Sequence, residues 1–451
     1  MTTETIINRY LVGEYAPVRD ELTSTELAVE GQLPAELNGT YLRIGPNPRG
    51  SLDPATYHWF QGDGMVHAVT LSEGHARYSN RWVRTDRAAD LLDERPGSDQ
   101  PPDVIPAEIS VANTGLVAHA GRILALYEVG LPVEIRTDGS TVGRFNFDGR
   151  LQSAMTAHPK VDPNTGELHF FGYSMLGPPF LRYHVADDSG RLTRTEEITL
   201  PGPSMVHDFA VTRDHIVWLD LPVLFDRDLL AHGRFPFGWH PDYGARVGIM
   251  PRAGANNAVR WFDIDPCYVF HVLNAYDDGP NVVIDVVRYD HLFADDHAGP
   301  SDSEPILTRW TVGLTTSSVS THVIDDRPQE FPRVADRTVG SRHRYGYAVT
   351  EHGIVQHDLD RGTSVAHSLG ANSQASEALF IPAADGTADD EGWVVAIVHH
   401  NPHSADFLVL DATALDHPPL ARVELPQRIP IGFHALWASD NEERRRTSRL
   451  A

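Results

Sequence analysis

Short apolar runs, separated by turn sequences, recur along the whole chain. Leu168-His-Phe-Phe-Gly-Tyr-Ser follows the turn sequence Asp162-Pro-Asn-Thr-Gly, and Asn281-Val-Val-Ile-Asp-Val-Val follows Asp277-Asp-Gly-Pro. Asp, Asn, Gly and Pro at these positions are typical of the turns between strands. Long stretches with helical periodicity are almost absent. The pattern predicts an all-β protein of many short strands, built either as a propeller or as stacked sandwiches.

The turn residues are spread evenly from end to end, with 36 Gly and 32 Pro in 451 residues. No stretch has the composition of a linker. We therefore expect one domain over residues 1–451, with an N-terminal arm over about residues 1–30. The tail at 440–451 is rich in charged residues and poor in apolar ones, so we expect it to fray.

Composition and charge limit the classes of function. The chain has 37 basic and 62 acidic residues, which gives a formal net charge of −25. We expect no nucleic-acid partner, because affinity for nucleic acid comes largely from neutralising phosphates. The single cysteine, Cys267, allows no internal disulfide. No signal peptide and no apolar run of about 18 residues are visible, so the sequence predicts a cytoplasmic protein.

The segment from Leu221 to Gly238 is unusually rich in large apolar residues for a connection between strands. It contains Pro222-Val-Leu-Phe, Leu229-Leu-Ala and Phe235-Pro-Phe-Gly-Trp. One interpretation is a loop folded over the core. The other is an apolar rim around a tunnel, in peripheral contact with a membrane that holds a lipid-soluble substrate.

Four of the 24 histidines share a strand-like setting among apolar or small residues: His158, His207, His271 and His434. A neutral imidazole in such a setting needs a partner, and a metal ion is one such partner. Single ligands far apart along the chain suit a propeller, where each innermost strand presents one side chain to a common axis. Ordinary core histidines remain the alternative, because similar settings surround His67, His322, His399 and His400.

Several short motifs follow one another between residues 37 and 437. They begin at Leu37-Asn-Gly-Thr-Tyr, His58-Trp-Phe-Gln-Gly-Asp-Gly, Asn80-Arg-Trp, Ala112-Asn-Thr, Ala157-His-Pro-Lys, His207-Asp-Phe, Phe270-His-Val-Leu-Asn, Glu330-Phe-Pro-Arg, Ser376-Glu-Ala and Pro430-Ile-Gly-Phe-His. In this order they resemble the carotenoid cleavage oxygenase family. The resemblance implies a seven-bladed β-propeller with iron on its axis and a cap of loops and short helices above it.

The resemblance also implies roles for particular residues. The iron ligands of the family match His158, His207, His271 and His434, and the expected cofactor is Fe(2+). Glutamates that orient the ligands match Glu128, Glu330 and Glu377. A carboxylate that accepts the hydrogen of the far ring nitrogen fixes the tautomer and makes the metal-bound nitrogen more basic. Candidates for the wall of a substrate tunnel are Trp59, Phe60, Thr114, Tyr127, Phe270 and Phe433, for which core packing is an equal alternative.

The implied reaction is cleavage of a conjugated carbon–carbon double bond with O2 to give two carbonyl products. The expected substrate is an apolar polyene, either a carotenoid or an apocarotenoid. A stilbene of lignin type is the alternative, although relatives that cleave stilbenes tend to carry Lys where this chain has Tyr127. An isomerase with the same site residues and a metal-free binding propeller are two further alternatives. After the last ligand the family pattern has Gly where this chain has Ala435, so we expect a narrower site near His434.

Overall fold

The computed structural model describes residues 7–50, 52–91, 110–400 and 402–439. The predicted frayed tail at 440–451 and the first six residues of the predicted N-terminal arm lie outside these ranges. Within them the strands form seven antiparallel sheets and one two-stranded ribbon. The predicted fold, an all-β seven-bladed propeller, is therefore confirmed.

Each sheet is one blade, and the blades are numbered from the sheet that contains Gly39–Pro46. Blade 1 consists of Thr23–Ser24, Gly39–Pro46, Gly64–Ser72, His75–Trp82 and Ala435–Ser439. Blade 2 consists of Gly115–His119, Arg122–Leu126, Val133–Ile135 and Thr141–Arg144. Blade 3 consists of Lys160–Val161, Leu168–Tyr173, Leu181–Ala186 and Leu192–Ile198. Blade 4 consists of Ala210–Val211, His215–Asp220, Ala245–Pro251 and Arg260–Ile264.

The remaining blades follow the same order along the chain. Blade 5 consists of Tyr268–Asp278, Asn281–Tyr289, Ile306–Gly313 and Ser318–Asp325. Blade 6 consists of Gln329–Arg333, Tyr345–Thr350, Gly353–Asp358 and Thr363–Ser368. Blade 7 consists of Val29–Gly31, Ser373–Ala375, Leu379–Pro382, Gly392–His400, Ser404–Asp411 and Ala421–Glu424.

The ring is closed by strands from the two ends of the described chain. In blade 1, Gly39–Pro46 pairs with Ala435–Ser439, so that Leu42 lies opposite Leu436. In blade 7, Val29–Gly31 pairs with Ala421–Glu424. Part of the predicted N-terminal arm thus contributes strands to blades 1 and 7.

The core lies between neighbouring blades. Strands with both faces buried pack their apolar side chains against the next blade, as Ile44 and Val66 of blade 1 do against Ile123 of blade 2. Blades 6 and 7 meet in the same way through Ile354 and Leu408. These buried faces fix the positions of the innermost strands, which line the propeller axis.

Loops and some of the short helices, among them Trp59–Gln61 and Arg227–Ala231, cover one end of the axis and form the cap. The helices of the described residues are Arg9–Leu11, Gly13–Tyr15, Trp59–Gln61, Asp86–Leu91, Arg227–Ala231, Pro241–Tyr243, Asn256–Ala258, Asp336–Thr338 and Ala412–Ala414. The ribbon of Val223–Phe225 and Phe237–Trp239 flanks the helix Arg227–Ala231, whose first turn is capped by the Asp226 side chain. None of the helices in these ranges has both the length and the apolar character needed to cross a bilayer.

Candidate metal centre

The four histidines sit at or just before the innermost strands of four blades. His158 precedes Lys160–Val161, and His207 precedes Ala210–Val211. His434 directly precedes the strand that closes blade 1. His271 lies inside the innermost strand of blade 5, where the pairing with the next strand shifts register. Such a bulge re-aims a side chain, and here it turns the imidazole toward the axis.

The four imidazoles converge on one point. One ring nitrogen from each histidine lies within 4.8 Å of those of the other three. The Nε2 atoms of His271 and His434 are 3.1 Å apart. Two nitrogens bound to one ion at about 2.1 Å, at a right angle, are separated by about 3.0 Å, so this spacing fits a shared metal ion.

Each of the three predicted glutamates contacts a different histidine on the ring nitrogen that faces away from this point. Glu330 Oε2 lies 2.5 Å from His271 Nδ1, and Glu377 Oε1 lies 3.0 Å from His434 Nδ1. Glu128 Oε1 contacts His207 Nδ1. A carboxylate at Nδ1 accepts the ring hydrogen and leaves Nε2 free as a metal ligand.

The glutamates are themselves held by hydrogen bonds. Tyr173 donates its hydroxyl hydrogen to Glu128 at 2.9 Å, and Tyr289 donates to Glu330 at 2.9 Å. The backbone N–H of Ala435 donates to Glu377 at 2.5 Å. These anchors were not predicted, because neither tyrosine is close to its glutamate in the sequence.

His158 differs from the other three histidines. Its Nε2 is buried and has no hydrogen-bond partner among the described residues. An unpartnered buried nitrogen is costly, and a metal ion at the shared point would provide the missing partner. The donor set of four imidazoles therefore fits a divalent transition metal.

Burial and neighbouring charges set the protonation of these groups. Burial, followed by the three other rings, lowers the pKa of His158 well below its usual value. Burial also lowers the pKa of His434, although Glu377 opposes the shift. Burial acts against the ionised form of Glu377, but His434 and Arg333 outweigh it and lower the pKa of this carboxyl to about 2. Burial opposes the charged form of His271, but Glu330 outweighs it and raises the pKa of this imidazole. Metal binding requires neutral imidazoles, so it competes with protons at His271.

A cavity of about 860 Å³ opens on the cap side of the histidines. We call it the apolar cavity, because aromatic and aliphatic side chains make up most of its wall. All six predicted tunnel residues line it: Trp59, Phe60, Thr114, Tyr127, Phe270 and Phe433. His207, His271 and His434 form part of its floor, and the rings of Phe270 and His207 have centroids 4.8 Å apart.

The segment from Leu221 to Gly238 forms part of the same wall. Phe225, Phe235 and Phe237 line the apolar cavity together with Leu230. Leu230 is 51% exposed, and Leu176, which also lines the cavity, is 78% exposed. The segment thus both covers the core and borders the apolar cavity.

Phe331 was missed by the sequence analysis. It follows Glu330 with φ of 52°, a left-handed conformation that is rare for a bulky residue. Its ring centroid lies 5.5 Å from that of His271 and 5.3 Å from that of His434. The Glu-Phe-Pro motif was the available signal, but it drew attention only to the glutamate.

A second cavity, of about 350 Å³, lies on the opposite side of the histidines along the propeller axis. We call it the axial cavity. His158, His271 and His434 line it together with charged residues, among them Lys160, Asp208, Arg333, Asp336 and Arg337. Ala435 lines this cavity and is not among the residues that line the apolar cavity. The expected narrowing near His434 therefore concerns the axial side, away from the predicted tunnel.

Comparison with known proteins gives consistent matches along the chain. The family model described as retinal pigment epithelial membrane protein matches residues 15–439. A carotenoid cleavage oxygenase of Mycobacterium tuberculosis is 40% identical, over 96% of this chain and 97% of its own length. The crystal structure of Pseudomonas brassicacearum lignostilbene dioxygenase has a TM-score of 0.86 at 28% identity, covering 96% of this chain and 99% of that one. A variant of Synechocystis apocarotenoid oxygenase has a TM-score of 0.84 at 26% identity, covering 94% of this chain and 98% of that one.

Proposed function

Because this chain belongs to the carotenoid cleavage oxygenase family, we propose that it is a ferrous-iron dioxygenase that cleaves a double bond of an apolar polyene. The observation that carries the proposal is the convergence of four imidazoles at the floor of the apolar cavity. The reaction breaks one carbon–carbon double bond and places one atom of O2 in each of two carbonyl products.

His158, His207, His271 and His434 would hold Fe(2+) through Nε2. Bound there, ferrous iron supplies the binding and activation of dioxygen. The four imidazoles would leave part of the coordination sphere of the ion free for small molecules. Glu128, Glu330 and Glu377 keep the rings in one tautomer and return negative charge to the site.

The wall of the apolar cavity positions the substrate. Phe60, Phe270 and Phe433 present ring faces and edges on which a flat conjugated chain can lie. A polyene bound there has a double bond beside His207, His271 and His434. Holding the reactants in place lowers the entropic part of the activation barrier. The apolar wall also keeps water away from the reacting carbons.

The chemistry of Tyr127 favours an apocarotenoid over a stilbene. Burial, together with the Glu128 carboxylate, raises the pKa of Tyr127 to about 12. A tyrosine side chain has no cationic form, so Tyr127, unlike a lysine at this position, offers no cation to a phenolate. The one lysine of the chain, Lys160, lines the axial cavity, so the cationic groups that line the apolar cavity are the guanidinium groups of Arg87 and Arg234. A stilbene substrate remains the second candidate, because lignostilbene dioxygenase is a close structural neighbour.

The experiment is incubation of the iron-loaded protein with apocarotenoids and hydroxystilbenes under 18O2. Products are reduced at once to alcohols, so that their oxygen does not exchange with water, and are weighed by mass spectrometry. We expect cleavage of apocarotenoids with one heavy oxygen in each fragment. Cleavage of stilbenes alone would contradict the substrate class. A rearranged product without label would contradict the dioxygenase and indicate an isomerase.

The exposed leucines at the rim of the apolar cavity support a further part of the proposal. Leu176 and Leu230 are exposed to solvent and also line the apolar cavity. With a net charge of −25, attraction to an anionic surface does not contribute, so the contact would be apolar and local. We infer that the segment from Leu221 to Gly238 touches a membrane peripherally while the substrate is taken up.

A further inference from the structure

One buried carboxylate on the axial cavity joins three of the segments that carry the proposed metal ligands. Asp208 is 2% exposed and follows His207 directly. Its Oδ2 accepts a hydrogen bond of 2.8 Å from the backbone N–H of Val272, the residue after His271. Its Oδ1 lies 2.7 Å from the ammonium of Lys160, two residues after His158.

Asp208 therefore connects blades 3, 4 and 5 at the point where each presents an imidazole to the axis. Asp208 adjoins His207 in the sequence. Its ion pair with Lys160 and its hydrogen bond from Val272 connect it to the segments that contain His158 and His271. The fourth segment is joined separately, because Glu377 accepts the N–H of Ala435 beside His434.

Lys160 is the one lysine among the 37 basic residues of the chain. Its side chain is 20% exposed and faces the axial cavity. A buried carboxylate is stable in the ionised state only with a partner, and the compact ammonium reaches Asp208 from that cavity. Loss of Lys160 would leave the buried Asp208 side chain without its cation.

We propose that Asp208 and Lys160 form a positioning pair that holds three of the imidazoles at metal-binding separation before the ion arrives. The inference rests on the proposed role of the four histidines as metal ligands. Neither residue touches the ion. The pair acts by fixing the backbone on which the ligands stand, so its loss lowers metal affinity even when the fold survives. Removing a group that orients metal ligands typically costs about 10- to 100-fold in affinity.

An ordinary ion pair with similar burial provides the control. In blade 5, Asp285 is 0% exposed and pairs at 2.7 Å with Arg309, whose side chain is 25% exposed. Its ion-pair partners are Arg309 and His343, and neither adjoins one of the four histidines. Loss of Arg309 also removes the cation from a buried carboxylate, but this carboxylate lies away from the metal centre.

The test compares Lys160→Met, Lys160→Arg and Arg309→Met by titration with Co(II), whose absorption bands report the coordination of the ion. We expect Lys160→Met to weaken Co(II) binding about 10-fold or more and to alter the bands. We expect Lys160→Arg, which keeps the cation, to remain within about threefold of the wild type. We expect Arg309→Met to lose as much thermal stability as Lys160→Met and to keep the wild-type affinity for Co(II).

Wild-type affinity and bands in Lys160→Met would overturn the proposal, as would equal weakening in Arg309→Met or no rescue by Lys160→Arg. If Lys160→Met does not fold, Asp208→Asn provides the same comparison, because the amide keeps the shape and removes the charge. A wild-type protein that binds no Co(II) would instead refute the metal centre itself, so the two failures are distinguishable.

Discussion

A proposed ligand differs from an ordinary buried histidine in lying beside three other imidazoles, and not in lacking a hydrogen-bond partner, since the buried Nε2 of His399 has none among the described residues either. His67 bonds Tyr78 through Nδ1 at 2.8 Å, and His399 bonds the carbonyl of Ile429 at 2.9 Å. Their sequence settings match those of the four proposed ligands, so local pattern could not separate the two groups. The two groups are separated only by their positions in the fold. His158 and His434 are far apart in the sequence, but their rings are adjacent on the propeller axis.

Replacement of His271 by Ala is the direct test at this scale. The substitution removes one of the four donors and leaves Glu330 without its imidazole partner. We therefore expect loss of bound iron and a fall of at least about 100-fold in metal affinity. This loss exceeds that expected when a group that only orients a ligand is removed. Metal content by elemental analysis checks this. His184 is the matched control, since it is 2% exposed and its ring bonds Ser153 and Thr195. A full equivalent of iron in His271→Ala would contradict the ligand assignment.

At the scale of single elements, the innermost strand of each blade does the positioning. Sequence pattern predicted short strands and turns correctly, because buried apolar runs and turn sequences such as Asp162-Pro-Asn-Thr-Gly and Asp277-Asp-Gly-Pro are local signals. It could not predict the bulge that turns His271 inward or the left-handed backbone of Phe331, because tertiary packing imposes both. The role proposed for Asp208 was missed for the same reason, since its partners come from other blades.

The segment from Leu221 to Gly238 carries the prediction at this scale. We expect Leu230→Asp to lower binding to neutral phosphatidylcholine vesicles about tenfold, because burying one Leu side chain contributes about 1.5–3 kcal/mol. Co-sedimentation with vesicles measures the effect. The control is Val142→Asp, since Val142 is 47% exposed in blade 2 and is not among the residues that line the apolar cavity. Equal loss of vesicle binding in both variants, or no loss in either variant, would refute membrane contact through this segment.

At the scale of the whole molecule, ring closure determines which residues form the site. The sequence showed no repeat that marked a blade, partly because blades 1 and 7 each combine strands from both ends of the described chain. The blade number came from the family resemblance, whereas the strand content came from the residues. We propose that residues 15–439 behave as one cooperative domain, since apolar clusters continue from blade to blade.

Two truncations test this proposal. A chain that ends at residue 433 lacks both His434 and the strand Ala435–Ser439, so we expect no metal binding and no cooperative thermal transition. A chain that ends at residue 439 keeps both, and we expect wild-type metal content and a midpoint within a few degrees. Thermal unfolding followed by circular dichroism, with metal analysis, measures each. A stable, metal-binding product from the shorter chain would refute the dependence on ring closure.

The strand that closes blade 1 has a consequence for biosynthesis. A ribosome releases the chain from its N-terminus, so His158, His207 and His271 emerge long before His434 and its strand. A nascent or prematurely terminated chain therefore contains three of the four histidines but lacks the fourth donor and the closing strand. The four-histidine site is thus complete only after the strand Ala435–Ser439 has closed blade 1.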